Sequence, residues 1–137
     1  MKKIFGILAV LVFCFISCSI DDSKYNVFDD ENAIANNNDK TLEIASVEKN
    51  LESNYSHRAN KLTGLKTIKT ISGNEKFDVD LTTSSGRFKL VLVNKNNVII
   101  VCDGNVNEQF EFPELDDKEY KLKIVGDKAA FDLKVTF

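Results

Sequence analysis

Three cysteines, one histidine and a surplus of carboxylates are the residues of this 137-residue chain that could carry chemistry. His57 stands alone, so a metal site built from several histidines is excluded. Paired with Cys102 it could activate a thiol nucleophile, with the imidazole taking the proton. Cys102, however, closes the apolar run Val98-Ile99-Ile100-Val101, and a cysteine in such a run packs as a small apolar residue. Burial is the expectation, although the adjoining Asp103-Gly104 leaves a route to exposure. A Ser-His-Asp arrangement would also have to use His57, and no G-x-S-x-G turn is present to hold the serine. His57 is therefore expected at the solvent or at a sheet edge.

Asp78 and Asp80 project from one side of the same stretch, and paired acids can bind calcium or cleave glycosides. The chain has neither the twelve-residue calcium loop nor the length for a deep cleft, so these acids are expected on a solvated face. The glycines are isolated turn residues and form no loop that could cradle a phosphate. No catalytic residue, metal or cofactor is assigned.

Cys18 has a more definite setting. Met1, Lys2 and Lys3 form a short positive start, and Ile4 to Ile16 follow without a charge. That run falls short of the roughly 20 apolar residues of a membrane span, and it is closed by Asp21 and Asp22. A secretory signal fits it better than a permanent transmembrane helix. The segment Phe15-Ile16-Ser17-Cys18 resembles the bacterial lipobox, in which a small residue precedes an invariant cysteine. Phe15 is bulkier than the usual leucine, and the rival Cys14 follows Phe13, which is too large for a small-residue pocket. The resemblance implies cleavage between Ser17 and Cys18 and a diacylglycerol thioether on Cys18. Acylation, as by palmitate, of the freed amine is left open. At about 0.8 kcal/mol per buried CH₂, two or three chains make a durable anchor. The plain alternatives are a secreted chain with a free Cys18 or an uncleaved anchor.

Processing changes the balance of charge and thiols. Losing Lys2 and Lys3 takes the formal net charge from -3 to -5, which disfavours binding to a nucleic-acid backbone. Cys14 would leave with the signal and Cys18 would carry lipid, so Cys102 would have no disulfide partner within the mature chain.

Three zones are expected: residues 1–17 as signal, 18–40 as a lipidated, disordered tether, and 41–137 as one domain. Asp29-Asp30-Glu31 and Asn36-Asn37-Asn38-Asp39 leave the second zone few apolar groups beyond Tyr25, Val27, Phe28 and Ile34. Such a segment cannot offset its own chain entropy. It would hold the domain off the membrane, and the alternative is a short ordered helix around Val27 to Ala35. Thr41 to about Ser53 is expected to be an amphipathic helix, capped by Thr41, with Ile44, Val47, Leu51 and Tyr55 recurring at three- and four-residue steps. Tyr55 to Leu62 fits either period.

From Leu65 on, the period is two. Phe77, Val79 and Leu81 alternate with Asp78, Asp80 and Thr82, and Phe131, Leu133, Val135 and Phe137 with Asp132, Lys134 and Thr136. Turns are expected at Ser84-Ser85-Gly86, Asn94 to Asn97, Asp103-Gly104-Asn105 and Gly126-Asp127. Six or seven short strands separated in this way predict a mainly β fold: a small antiparallel β-sandwich of Greek-key or Ig-like type behind the helix and tether. The run Leu115 to Tyr120 resembles the approach to a tyrosine corner, where the Tyr120 hydroxyl would bond back to upstream backbone. The alternative is a half-buried strand tyrosine.

More broadly, Leu62-Thr63-Gly64-Leu65-Lys66-Thr67, the strand Gly86 to Val93, and Tyr120 to Gly126 are similar to small lipoproteins of Gram-positive bacteria that carry one β-sandwich behind a lipobox. That resemblance spans about Tyr55 to Phe137, implies a strand from Tyr55, and brings no catalytic residue.

The expected function is a membrane-anchored, extracytoplasmic, non-enzymatic module at the cell surface, or facing the periplasm in a Gram-negative cell. It would bind a protein or envelope partner and no nucleic acid. The alternatives are an accessory ligand binder serving a transporter or wall polymer, and an enzyme using His57 and Cys102.

Overall fold

The computed structural model describes residues 22–137, so the signal and Cys18 lie outside the described residues. Seven strands follow a short N-terminal segment: β1 (Lys40–Ile44), β2 (Val47–Asn50), β3 (Asn54–Ser72), β4 (Phe77–Asn94), β5 (Asn97–Asp103), β6 (Val106–Phe110) and β7 (Glu119–Thr136). All pairings are antiparallel, and all seven strands join one sheet rather than two. The last strand lies at its centre, in the order β1-β3-β7-β4-β5. The remaining two strands extend its sides, β2 beside β3 and β6 beside β4.

The three central strands are long because two expected turns are bulges instead. Register shifts fall between Ala59 and Gly64 on β3 and between Thr83 and Arg87 on β4, both facing residues 126–131 of β7. Each bulge inserts unpaired residues and bends its strand, so adjacent bulges crease the whole sheet. Ser84-Ser85-Gly86 and Gly126-Asp127 lie in this crease. Gly86 has φ +70°, and a Cβ there would stand 2.1 Å from the Lys128 carbonyl oxygen. The bend is large. Lys69 pairs with Leu122 on β7, yet its ammonium lies 4.0 Å from the centroid of the Phe137 ring, just past that strand's other end. A straight strand would separate Leu122 from Phe137 by about 50 Å.

The period of two does what it predicted within each half. Phe77, Val79 and Leu81 on one side of the crease and Phe88, Leu90 and Leu92 on the other enter the same core, joined by Leu122, Ile124, Phe131, Leu133 and Val135. Phe88 stacks on Phe131 with centroids 4.2 Å apart. Tyr120 is a core tyrosine: its ring edge closes over Gly73, where a Cβ would come within 2.5 Å of it. No bond from its hydroxyl to upstream backbone occurs among the described residues, so the tyrosine corner gives way to the plainer alternative. The turns at Asn94 to Asn97 and Asp103-Gly104-Asn105 are where the spacing put them.

Two expectations need correction. The stretch read as a helix from Thr41 to Ser53 forms β1 and β2, separated by Ala45 at φ +52°. Gly64 lets β1 pass close to β3, since a Cβ at its φ of +133° would stand 2.1 Å from the Lys40 carbonyl oxygen.

The stretch read as a tether is docked from Asp22 onward. A single 3₁₀ turn (Ser23–Tyr25) and one helix, α1 (Glu31–Asn36), cross the sheet's second face. A helix this short is unstable alone. Asp30 caps it, its side chain accepting from the Ala33 amide at 3.0 Å. Phe28 and Ile34 bury themselves among Leu65, Val91, Val93 and Val125. Two buried lysines complete the seal: Lys89 donates to the Phe28 carbonyl at 2.7 Å and Lys123 to that of Ile34 at 2.9 Å. Arg87 bridges Asp29 and Asp127 at 2.9 and 2.8 Å, and Asp39 accepts from the Thr67 amide and hydroxyl at 2.8 and 2.9 Å.

Candidate functional site

The densest group of ionisable side chains surrounds His57. Alternation along β3 turns Tyr55, His57 and Ala59 inward, and the imidazole is buried with no accessible side-chain surface. The expectation of a solvent or edge position is thus overturned. The strand does run near the sheet's edge, but β1 and β2 lay their own side chains over the ring.

Glu43 on β1 places Oε1 2.6 Å from His57 Nε2, and Ser46, in the kink between β1 and β2, places its hydroxyl 2.9 Å from the same nitrogen. On the other side, the Tyr55 hydroxyl lies 2.8 Å from Nδ1 and donates to Glu48 Oε2 at 3.0 Å. Glu48 is also paired with Lys66, which reaches it from beyond the crease of β3. Both ring nitrogens are engaged, Nε2 by Glu43 and Ser46 and Nδ1 by the tyrosine oxygen, while the Tyr55 O–H donates to Glu48. The partners of each nitrogen set which of them donates.

The electrostatics follow from this packing. Burial works against ionisation of Glu43, but hydrogen bonds from Ser46 and Thr41 and the facing His57 hold its carboxyl below the usual range. Burial, reinforced by the charge of Glu48, pushes the Tyr55 phenol well above its ordinary value, so this tyrosine stays protonated.

Ser46, His57 and Glu48 superficially match a nucleophile, base and acid. The match fails on the base. Glu43 Oε1 occupies the nitrogen that would have to take the serine proton, and Ser46 itself donates to Glu43 at 2.9 Å. A carboxylate at that point also opposes the negative charge of an acyl-transfer intermediate. What this arrangement can do is fasten β1 and β2 to β3 through a chain of side-chain hydrogen bonds centred on His57. A surface depression of about 180 Å³ lies near Val47, Lys49, Arg58 and Asp132, but His57 offers it no side-chain surface.

The other residues singled out from the sequence lie apart. Cys102 is half-buried on β5, and β7 and β4 separate that strand from β3. Burial pushes its thiol up to about 11, the reverse of an activated nucleophile. Asp78 and Asp80 are exposed on β4, with Asp80 opposite Lys134, as expected of a solvated face. Cys18 lies outside the described residues. Among the described residues there is no cluster of three or more His, Cys, Asp and Glu placed to hold a metal ion, and no helix long and apolar enough to cross a membrane.

One further surface was not visible in the sequence. β1 and β2 each pair only with β3, so their outer edges are uncovered among the described residues. Ile44, Val47 and Leu51 stand there 45%, 56% and 61% exposed. Their three- and four-residue spacing suggested a helix; instead they are single exposed apolar residues along an edge that also carries Glu48, Lys49 and Asn50.

No protein-family model matches the chain, and no curated protein matches it. Among solved structures it is similar to Drosophila melanogaster CENP-C bound to CAL1, with 9% identity, 69% of this chain and 78% of that chain covered, and a TM-score of 0.33. It is also similar to the Drosophila melanogaster CENP-C cupin domain, with 12% identity, coverage of 87% and 82%, and a TM-score of 0.34. Likenesses at that level carry no argument about what this chain does.

Proposed function

We propose that the chain is a membrane-anchored extracytoplasmic lipoprotein whose β-domain is a non-enzymatic module for a protein partner. The observation that carries the binding role is the open edge of β1 and β2, with Ile44, Val47 and Leu51 exposed beside it. Unpaired edge N–H and C=O groups are a ready template for another strand, and exposed apolar side chains along such an edge can pack against the strand added there. Phe15-Ile16-Ser17-Cys18 supports the anchor, with lipid on Cys18 holding the module to the membrane. We read the creased sheet as sandwich-like, its two halves folded over the shared core; Phe88 against Phe131 and Lys69 over Phe137 support that reading.

Crosslinking from a photoreactive group at Asn50 on intact cells tests this, with mass spectrometry of the captured product. A specific partner is expected, and Val47→Asp with Leu51→Asp should abolish its capture while leaving the anchor in place. Recovery of no specific partner, or capture indifferent to both substitutions, would count against the module.

A further inference from the structure

We propose that the crease end of the sheet lies directly against anionic lipid headgroups, through a face formed by Lys24, Lys40, Lys61 and Lys128. This inference rests on the lipid-anchor reading and goes beyond it, because it assigns an orientation and a lipid chemistry.

The first support is reach. Asp22 is buried, accepting from the Thr63 hydroxyl at 2.8 Å and paired with Lys61 at 3.1 Å. Four residue steps separate Cys18 from this fixed point, at most about 14 Å of chain. A flexible tether from residue 18 to 40 would instead have a typical end-to-end span of about 26 Å. Docking of the expected tether therefore leaves the domain little freedom to stand off the bilayer. It also decides which part of the domain arrives first.

The second support is charge. Around Asp22 and the 3₁₀ turn after it, Lys24 and Lys40 place their ammonium groups 5.5 and 4.9 Å from the Tyr25 ring centroid. Lys61 and Lys128 flank Asp22 from β3 and β7, and the Lys128 amide donates to the Thr63 hydroxyl at 3.0 Å. Asp22 answers one of these four cations. The nearby Asp29 and Asp127 share the single charge of Arg87, which leaves one carboxylate over, and Asp21 precedes Asp22 in the chain; the four lysines still outnumber these acids. A cluster of four lysines thus stands at the attachment point of a chain whose formal net charge is -3, and -5 once Lys2 and Lys3 are lost with the signal. Attraction to a headgroup layer acts within about a Debye length, 8–10 Å at physiological salt, so a face held this near the anchor lies within its range. Tyr25, half-buried among the lysines, has the amphipathic character favoured at a membrane interface.

The mature lipidated full-length protein tests this on the outside of vesicles of phosphatidylcholine, alone or mixed equally with phosphatidylglycerol. Flotation is read first, and then the acetylation rate of each lysine by mass spectrometry. With phosphatidylglycerol, Lys24, Lys40, Lys61 and Lys128 should react about fivefold more slowly than in phosphatidylcholine. Lys76, Lys95 and Lys118, beyond the crease, should not change. Replacing Lys24, Lys40 and Lys128 by Gln, with Lys61 kept as partner to Asp22, should return Lys61 to its phosphatidylcholine rate. A protein that floats yet shows equal rates in both vesicles would overturn the orientation and leave the anchor standing. Equal protection by soluble polyphosphate without vesicles would make the face a general polyanion site and also overturn it. Failure to float would remove the anchor, and this inference with it.

Discussion

Ile34→Ala distinguishes a docked N-terminal segment from a loose one. Ile34 has no accessible surface and packs with Phe28, Leu65, Val91, Val93 and Val125. The substitution removes three carbon atoms, or about 2.4 kcal/mol of transfer free energy at about 0.8 kcal/mol per group. A residual cavity adds to this, within the 2–5 kcal/mol range of such truncations; about 3 kcal/mol is the working figure. Set against a total stability of about 5–15 kcal/mol, the loss would be unmistakable in urea unfolding. It should also be local before it is global. The amides of Ile34 and Asn37, bonded to the carbonyls of Asp30 and Ala33, should exchange with deuterium about a hundredfold faster, as a shift of about 3 kcal/mol in local opening requires. The β7 amides of Leu133 and Val135 should accelerate less. A loss below about 0.5 kcal/mol, the size of an ordinary surface substitution, with unchanged exchange would refute docking. Residues 22–39 would then be the tether their composition first suggested.

Three other substitutions and one thiol probe bear on the sheet, its histidine and its cysteine. His57→Ala should cost about 2–3 kcal/mol, because it removes a fully buried ring and leaves its hydrogen-bond partners unmatched; a change under about 0.5 kcal/mol in urea would show the network to be idle. Glu43, with its carboxyl held low in the fold, contributes stability that is present above the unfolded value near 4.5 and lost as pH falls through the folded one. Glu43→Gln should therefore flatten the acid limb of the stability curve, and an unchanged limb would contradict that. Gly64→Ala should weaken the β1–β3 pairing and expose the Thr41 to Ile44 amides to exchange, while full protection would show the close approach to be dispensable. The Cys102 thiol, pushed up to about 11, should react with iodoacetamide at pH 8 far more slowly than a model thiol; equal rates would place it in the open.

The alternating strands were legible because each has one face in the core and one in water, as with Phe77, Val79 and Leu81 against Asp78 and Asp80. Other features misled for physical reasons. Ile44, Val47 and Leu51 imitate a helical stripe because a left-handed residue at Ala45 breaks the strand between them, and none of the three is buried. The His57 network draws on Glu43, Ser46 and Glu48, which join it only through the pairing of β1 and β2 with β3. Sequence spacing does not carry that pairing. The docked segment did leave a signal: Leu90-Val91-Leu92-Val93 is apolar on both faces, which is what a strand covered on both sides requires. Lys89 and Lys123 obscured it, because lysines read as solvent-facing unless a carbonyl such as that of Phe28 or Ile34 waits for them. The crease was hidden because a bulge and a turn draw on the same small and polar residues at Ser84, Ser85 and Gly86.

The most direct measurement is the mass of the N-terminal peptide of the mature protein isolated from cell membranes. The anchored lipoprotein predicts a peptide beginning at Cys18 and carrying diacylglycerol on its sulfur. A mature chain that begins elsewhere, or an unmodified Cys18 thiol, would contradict it.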